Sequence, residues 1–291
     1  MSAQLEISSG PGSARIALRG AELKSWRVGG NELIWPGDAK FWADSSPILF
    51  PVVGWTRNGV LVGGRRYPLG LHGFARAENF RLVEQAANRA LFRLRASERT
   101  KSLYPFDFCL DVEYIIKNNV LNTIIDVVNE GEGAMPFACG LHPGFNWPLP
   151  GGRGGHVVRF DARESAEVPA IAPGGLFSAR RRAVPLRGRE LALTPELFEE
   201  ALCFLDARSA GLEFAAQNGP SLRMELTNFP HIALWSRPGA PFLCLEACTG
   251  HGDPEDFDGD IFAKPSMRVL APGERASSVV KFRWRENPRA T

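Results

Sequence analysis

The sequence predicts an all-β protein, a large antiparallel β-sandwich with few short helices. Three observations carry this. Apolar residues recur with a period of two over many short runs, Gly and Pro separate those runs, and stretches of helical period are scarce. The 30 glycines and 22 prolines fall mostly between the runs, at sites such as SGPGS, RPGAP and APGER, where they preset turn dihedrals.

In chain order, the alternating or β-branched segments predicted as strands are 14–20, 80–85, 89–97, 108–116, 121–130, 156–162, 212–217, 221–227, 231–236, 241–247 and 278–284. So many strands do not stay in one flat open sheet, and a barrel or two packed sheets are the usual solutions. The large sandwich is the expectation. The best helix candidates are 38–43 and 195–202, the second with Thr194 as N-cap and Pro195 at the first helical position. No fixed repeat period suggests a propeller or solenoid. A chain of 291 residues with no linker inside it reads as one domain spanning 1–291.

Composition excludes several function classes. A formal net charge of +2 with 23% charged residues gives no general field for nucleic acid or an anionic membrane. The N-terminus has no basic region followed by an apolar core, and no apolar stretch is long enough to span a bilayer. The five cysteines form no CxxC pair, and several sit in strand-like apolar runs where a reduced thiol packs as a small hydrophobe. A cytoplasmic protein, monomer or homodimer, is expected. Cys244 and Cys248 flank Glu246, but no His stands at ligand spacing with both, so no zinc site is expected. The acidic run 253–260 lacks EF-hand spacing and reads as a solvated loop.

Three runs carry chemistry: LHGFAR with His72, FACGLHPGFNWPL with His142, and PFLCLEACTGHGD with Glu246. In the first, a His followed by Gly lets the backbone turn sharply and approach a ligand closely, and Arg76 offers a planar fork of donors. Alone, this run reads equally as a turn with a structural His and a surface Arg. In the second, Phe145 and Trp147 are flat surfaces against which a sugar's C–H face packs, or else His142 caps a strand end with Trp147 in the core. In the third, Glu246 interrupts an apolar run. An ionised carboxylate there is costly unless paired or facing a cleft, and such burial raises its pKa toward that of a base working near neutrality. The bland alternative is a Glu on the wet face of an alternating strand, since Leu243 and Leu245 point opposite to Cys244 and Glu246.

These runs, their order and their separation resemble the aldose 1-epimerase (galactose mutarotase-like) family, in particular its HGFAR-bearing branch. The similarity extends from GAELKSWRVGGNELIWPGDAKFWADSSPILFPVVG through HGFAR and GLHPGFNWPL to WSRPGAPFLCLEACTGHGD. The resemblance implies a galactose mutarotase-like supersandwich that opens a pyranose ring and recloses it with the other anomeric configuration, without a cofactor. It implies Glu246 as general base on the C1 hydroxyl, His142 as general acid on the ring oxygen, and His72 as a hydrogen-bonding partner near that oxygen. Arg57 in GWTRNG corresponds to a substrate-binding arginine, with Trp55 beside it where relatives carry a basic residue. Glu200, with Asp206 as the alternative, corresponds to an acidic residue that holds sugar hydroxyls, usually Asp in the family.

Arg76 and Arg57 also suit an anionic sugar, a hexose 6-phosphate or a sulfonated hexose, as against a neutral aldose. Both arginines read alternatively as structural ion pairs in a cleft wall. Two other classes stand beside the enzyme: a non-catalytic carbohydrate-binding or sensor protein on the same fold, and a sandwich domain of the kind attached to larger carbohydrate-active enzymes.

Overall fold

A computed structural model describes residues 3–286. Two large antiparallel sheets dominate it. One has nine strands, in spatial order Glu190–Ala192, Arg153–Phe160, Gly211–Asn218, Ser221–Thr227, Arg275–Arg285, Val120–Asn129, Phe108–Lys117, Arg89–Arg95 and Arg81–Ala86. The other runs Leu202–Phe204, His231–Trp235, Phe242–Cys248, Gly140–Leu141 and Ile48–Leu49, with Gly144–Asn146 also paired to Phe242–Cys248. A four-stranded sheet from Gln4 to Glu32 closes one side. The fold is the large antiparallel β-sandwich that the period-two runs predict. Every one of the eleven runs overlaps a strand, because each carries apolar side chains on one face that only a second layer covers.

One continuous apolar core joins the sheets. It takes Leu243, Leu245 and Ala247 from the central strand of the smaller sheet, Leu202, Phe204, Ile232 and Leu234 from its neighbours, and Val112, Ile125, Val280 and Phe282 from the larger sheet. Alternation then sends Phe242, Cys244, Glu246 and Cys248 to the opposite face of that central strand. That face is covered too, since all seven residues of Phe242–Cys248 are buried. Two small aromatic and aliphatic clusters lie over it, one around Trp35, Phe242 and Cys244, the other around Leu49, Val53 and Cys248.

The helix expectations are corrected in part. Residues 38–43 make a turn instead of a helix. The Asp38 carboxylate accepts from Lys40 N–H at 2.9 Å and the Asp38 carbonyl from Phe41 and Trp42, but Trp35 Nε1 then takes the Trp42 carbonyl at 2.9 Å. That bond ends the turn. Residues Pro195–Glu199 form a 3₁₀ helix whose Thr194 is extended and makes no side-chain cap; it ends at extended Glu200, short of residue 202. The α-helix Glu98–Lys101 was not anticipated, although Ser97 and Thr100 close it with a reciprocal capping box.

Candidate active site

Strand register builds the site. Leu141 stands opposite Ala247 and Gly144 opposite Cys244, so the same register sets His142 opposite Glu246. On the other side of that strand, Ala233 is the partner of Glu246, and Cys203 the partner of Ala233. Cys203, Ala233, Glu246 and His142 therefore form a row across the sheet, all on the face away from the core. His142 N–H donates to the Pro47 carbonyl at 3.2 Å and ties the row to the next strand. The consequence is a direct contact: His142 Nε2 lies 3.3 Å from Glu246 Oε1, with side-chain exposures of 8% and 7%.

A cleft of about 600 Å³ opens over this row, a volume within the usual range for small-molecule sites. His72, His142, His231, His251, Glu246 and Arg76 all line it. One end is closed by aromatic rings. Trp42 lies 5.0 Å from the His142 ring at 33°, and Trp235 meets the same ring edge-on at 5.7 Å. These two supply the flat apolar surface of the cleft. Phe145 does not, being wholly buried against Phe282 in the core, and Trp147 packs on Phe198. Phe145 pairs with Leu243, and the register that sends Leu243 to the core takes Phe145 with it.

His72 reaches the cleft from a loop. Its backbone is left-handed at φ +61°, its N–H donates to the Gly54 carbonyl at 2.9 Å, and its Nδ1 accepts from Gly54 N–H at 3.1 Å. That second bond leaves the ring proton on Nε2, the donor that faces outward. Gly73 is required for packing: a Cβ there would sit 2.2 Å from the Phe50 carbonyl oxygen, at φ +69°. The close approach expected of the His-Gly pair is thus made to the Phe50 backbone instead of to a ligand. The His72 and His142 rings stand 5.5 Å apart at right angles.

Burial drives the electrostatics. It lifts the Glu246 carboxyl to about 8 and lowers the His142 imidazole to about 3, because both charged forms lose hydration. His72 is lowered well below its ordinary value, first by burial and then by His142 and Arg76. Burial likewise pushes the Cys203 thiol up to about 12 and holds Cys244 and Cys248 well above the thiol range, so these thiols are neutral. His142 Nδ1 is buried without a hydrogen-bond partner.

The remaining expected residues divide. Arg76 lines the cleft and pairs with Asp44, also in its wall, at 3.2 Å. Glu200 lines it too, with Oε2 accepting from Ile171 N–H at 2.9 Å. Arg57 does not reach the cleft: it is exposed beside a separate small pocket, and its backbone N–H donates to Asp253. Trp55, two residues before it, is the cleft-lining side chain of that loop. Asp206 is also outside, with its side chain 90% exposed. Sequence reasoning missed Trp42, Trp235, His231 and His251. The alternation of 231–236 places His231, Ala233 and Trp235 on one face, and that was the available signal.

A buried imidazole–carboxylate pair in an aromatic-lined cleft, on the outer face of a mutarotase-like sandwich, defines the class: a carbohydrate-active isomerase. The profile of the aldose 1-epimerase family matches residues 3–283, and the chain belongs to that family. Among curated proteins, the chromosomal LacX protein of Lactococcus lactis subsp. lactis is 31% identical over 258 residues, covering 84% of this chain and 86% of that one. Among solved structures, a galactose mutarotase-like protein from Lactobacillus casei superposes with a TM-score of 0.91 at 27% identity, covering 97% of this chain and 100% of the other. A galactose mutarotase related enzyme from Lactobacillus acidophilus gives 0.90 at 26%, covering 99% of each. The protein is an epimerase of the mutarotase type.

Proposed function

We propose that this chain interconverts the α and β anomers of a neutral hexose by acid/base opening and reclosure of the pyranose ring, using Glu246, His142 and His72. The supporting observation is the buried 3.3 Å contact between His142 Nε2 and Glu246 Oε1. Between the two displaced pKa values, about 3 and about 8, the pair holds one transferable proton. In its ionic arrangement, the Glu246 carboxylate takes the proton of the C1 hydroxyl while protonated His142 delivers one to the ring oxygen. The C1–O5 bond breaks, the C1–O bond becomes a carbonyl, and the open-chain aldehyde stands beside a neutral carboxylic acid and a neutral imidazole.

Burial favours that uncharged arrangement, which coincides with the intermediate. Rotation about C1–C2 presents the other carbonyl face, and the two transfers run in reverse. His72 Nε2–H donates toward the ring oxygen, where negative charge develops as the bond breaks. No cofactor enters this scheme. Arg76 and Glu200 bind sugar hydroxyls from the walls, Glu200 through Oε1, since Oε2 is occupied by Ile171 N–H. Residue 57 is assigned no part, as its side chain lies outside the cleft.

A neutral sugar is favoured over a phosphorylated or sulfonated one because the Arg76 charge is compensated by Asp44 at 3.2 Å, and Glu199 and Glu200 offset Arg237 in the same lining. An anionic group there would meet carboxylates as well as guanidinium. The test is a panel of pure α-anomers, neutral, 6-phosphorylated and sulfonated, followed by NMR or polarimetry with and without the protein. Faster equilibration of neutral hexoses is expected. Binding without acceleration would replace the enzyme with a sugar sensor, and acceleration confined to the anionic sugars would reverse the substrate assignment.

A further inference from the structure

At the end of the cleft away from Trp42 and Trp235 stand two histidines that the ring-opening chemistry does not use. His231 is two residues along its strand from Ala233, the partner of Glu246. Two strand residues displace it from Glu246 by about 7 Å along the sheet. His231 Nδ1 accepts from Asp206 N–H at 3.0 Å, so the ring proton of the neutral imidazole sits on Nε2. His251 is arranged in the opposite sense. Its Nδ1 lies 2.8 Å from the Gly252 carbonyl oxygen; a carbonyl only accepts, so Nδ1 carries the proton and Nε2 presents a lone pair.

The two rings are 5.4 Å apart at 70°, and Phe177 stacks flat on His251 at 5.3 Å and 10°. Both histidines line the cleft, and among the described residues neither Nε2 has a hydrogen-bond partner. Burial holds both imidazoles below the ordinary histidine value, which keeps the rings neutral and the two tautomers distinct at physiological pH. One unpartnered donor therefore faces the same space as one unpartnered acceptor.

We propose that His231 and His251 form a hydroxyl-reading subsite, in which one sugar hydroxyl accepts from His231 Nε2–H and donates to His251 Nε2. The inference rests on the placement of C1 over Glu246 given above. From there a separation of about 7 Å along the sheet reaches across a pyranose ring, to its C3–C4 edge. Only a free hydroxyl satisfies both nitrogens. An ether or phosphate ester oxygen has no proton for His251, an anionic oxygen faces its lone pair, and a deoxy carbon offers neither bond. The substrate class is thus a hexose unsubstituted at that edge.

The experiment compares anomer-exchange kcat/KM, by NMR, for the best hexose of the panel and its 3-deoxy, 4-deoxy, 4-O-methyl and 6-deoxy analogues on the full-length wild-type protein. At least about a tenfold loss is expected for the 3-deoxy or 4-deoxy sugar and little for the 6-deoxy one. His231→Ala and His251→Ala are expected to weaken the parent sugar and to abolish the extra loss for that same analogue. Equal handling of parent, 3-deoxy and 4-deoxy sugars by the wild type would overturn the subsite, and so would variants that keep the full deoxy penalty. The wild-type comparison stands even where a variant fails to fold. If no hexose is exchanged, the anomerase reading fails by itself, and the subsite is read from saturation-transfer binding of the same series: equal binding of parent and deoxy sugars refutes it, selective loss at C3 or C4 supports it.

Discussion

The ring of Trp42 lies across that of His142, 5.0 Å between centroids and tilted by 33°. Asp38 begins the turn that carries Trp42, and the bond from Trp35 Nε1 to the Trp42 carbonyl ends it. What would have been a short helix thus becomes the lid that keeps the His142 imidazole dry. Removing the indole should readmit water, so Trp42→Ala is expected to raise the His142 pKa from about 3 toward the ordinary value. A histidine ¹H–¹³C titration reads this directly. An unmoved His142 resonance would mean that burial by Trp42 is not the cause.

Glu246→Gln keeps the shape of the carboxyl group and removes its basicity. The rate of anomer exchange should fall by roughly 10²–10⁴ with little change in the stability of the fold, since a neutral side chain suits this buried position at least as well. Retention of the wild-type rate would remove Glu246 from the mechanism.

The exchange rate should depend on pH through the one-proton state of the His142–Glu246 pair. Glu246, raised to about 8, loses that proton above this value, leaving a carboxylate and a neutral imidazole with no acid between them. At low pH, below the depressed His142 value of about 3, a second proton leaves no base. A broad plateau that falls on the alkaline side near pH 8 is expected in kcat/KM. A fall centred near the ordinary carboxylate value would contradict the burial argument.

Gly73→Ala adds a Cβ that meets the Phe50 carbonyl oxygen at 2.2 Å in a left-handed backbone. Strain of this kind costs about 1–3 kcal/mol before the clash is relieved, and relief means moving the His72 loop. The substitution should lower stability in urea and lower exchange activity together. Gly70→Ala, where an added Cβ meets nothing within 4 Å and φ lies outside the left-handed region, is the control, with stability unchanged or raised by about 0.4–1 kcal/mol.

Asp253 and Lys264 form a buried ion pair with side-chain exposures of 4% and 1%, and Asp253 also accepts from the Arg57 backbone N–H at 2.8 Å. Asp253→Ala strands the ammonium and frees the loop that carries Trp55 to the cleft. A loss of about 3–5 kcal/mol is expected from denaturant unfolding. The double variant with Lys264→Met should recover most of it, because the stranded charge is then gone.

The positions of strands were legible because alternation is a local property: 241–247 reads as a strand from its own seven letters, and its outward and inward faces follow. The exposure of those faces was not. Glu246 on the outer face of an alternating strand suits solvent as readily as a cleft, and only the ring of Trp42, from a turn far away in sequence, together with that of Trp235 on the neighbouring strand, decides that it is dry. The same limit explains Phe145 and Trp147, which look from their loop like sugar-stacking rings but are carried to the core side by pairing register. It also explains Arg57, whose loop turns its side chain to solvent while placing Trp55 in the cleft.

By itself, then, the amino-acid order determined an all-β chain, its strand segments and the three motifs that hold His72, His142 and Glu246. Tertiary structure alone decided that His142 and Glu246 touch, that the His72 proton sits on Nε2, and that His231 and His251 present opposite tautomers to one space. Those features depend on which strands lie side by side and on which backbone groups meet each ring. The first is set by contacts between residues distant in sequence and the second by loop conformation, which for His251 brings in the carbonyl of the next residue, Gly252; local periodicity is blind to both.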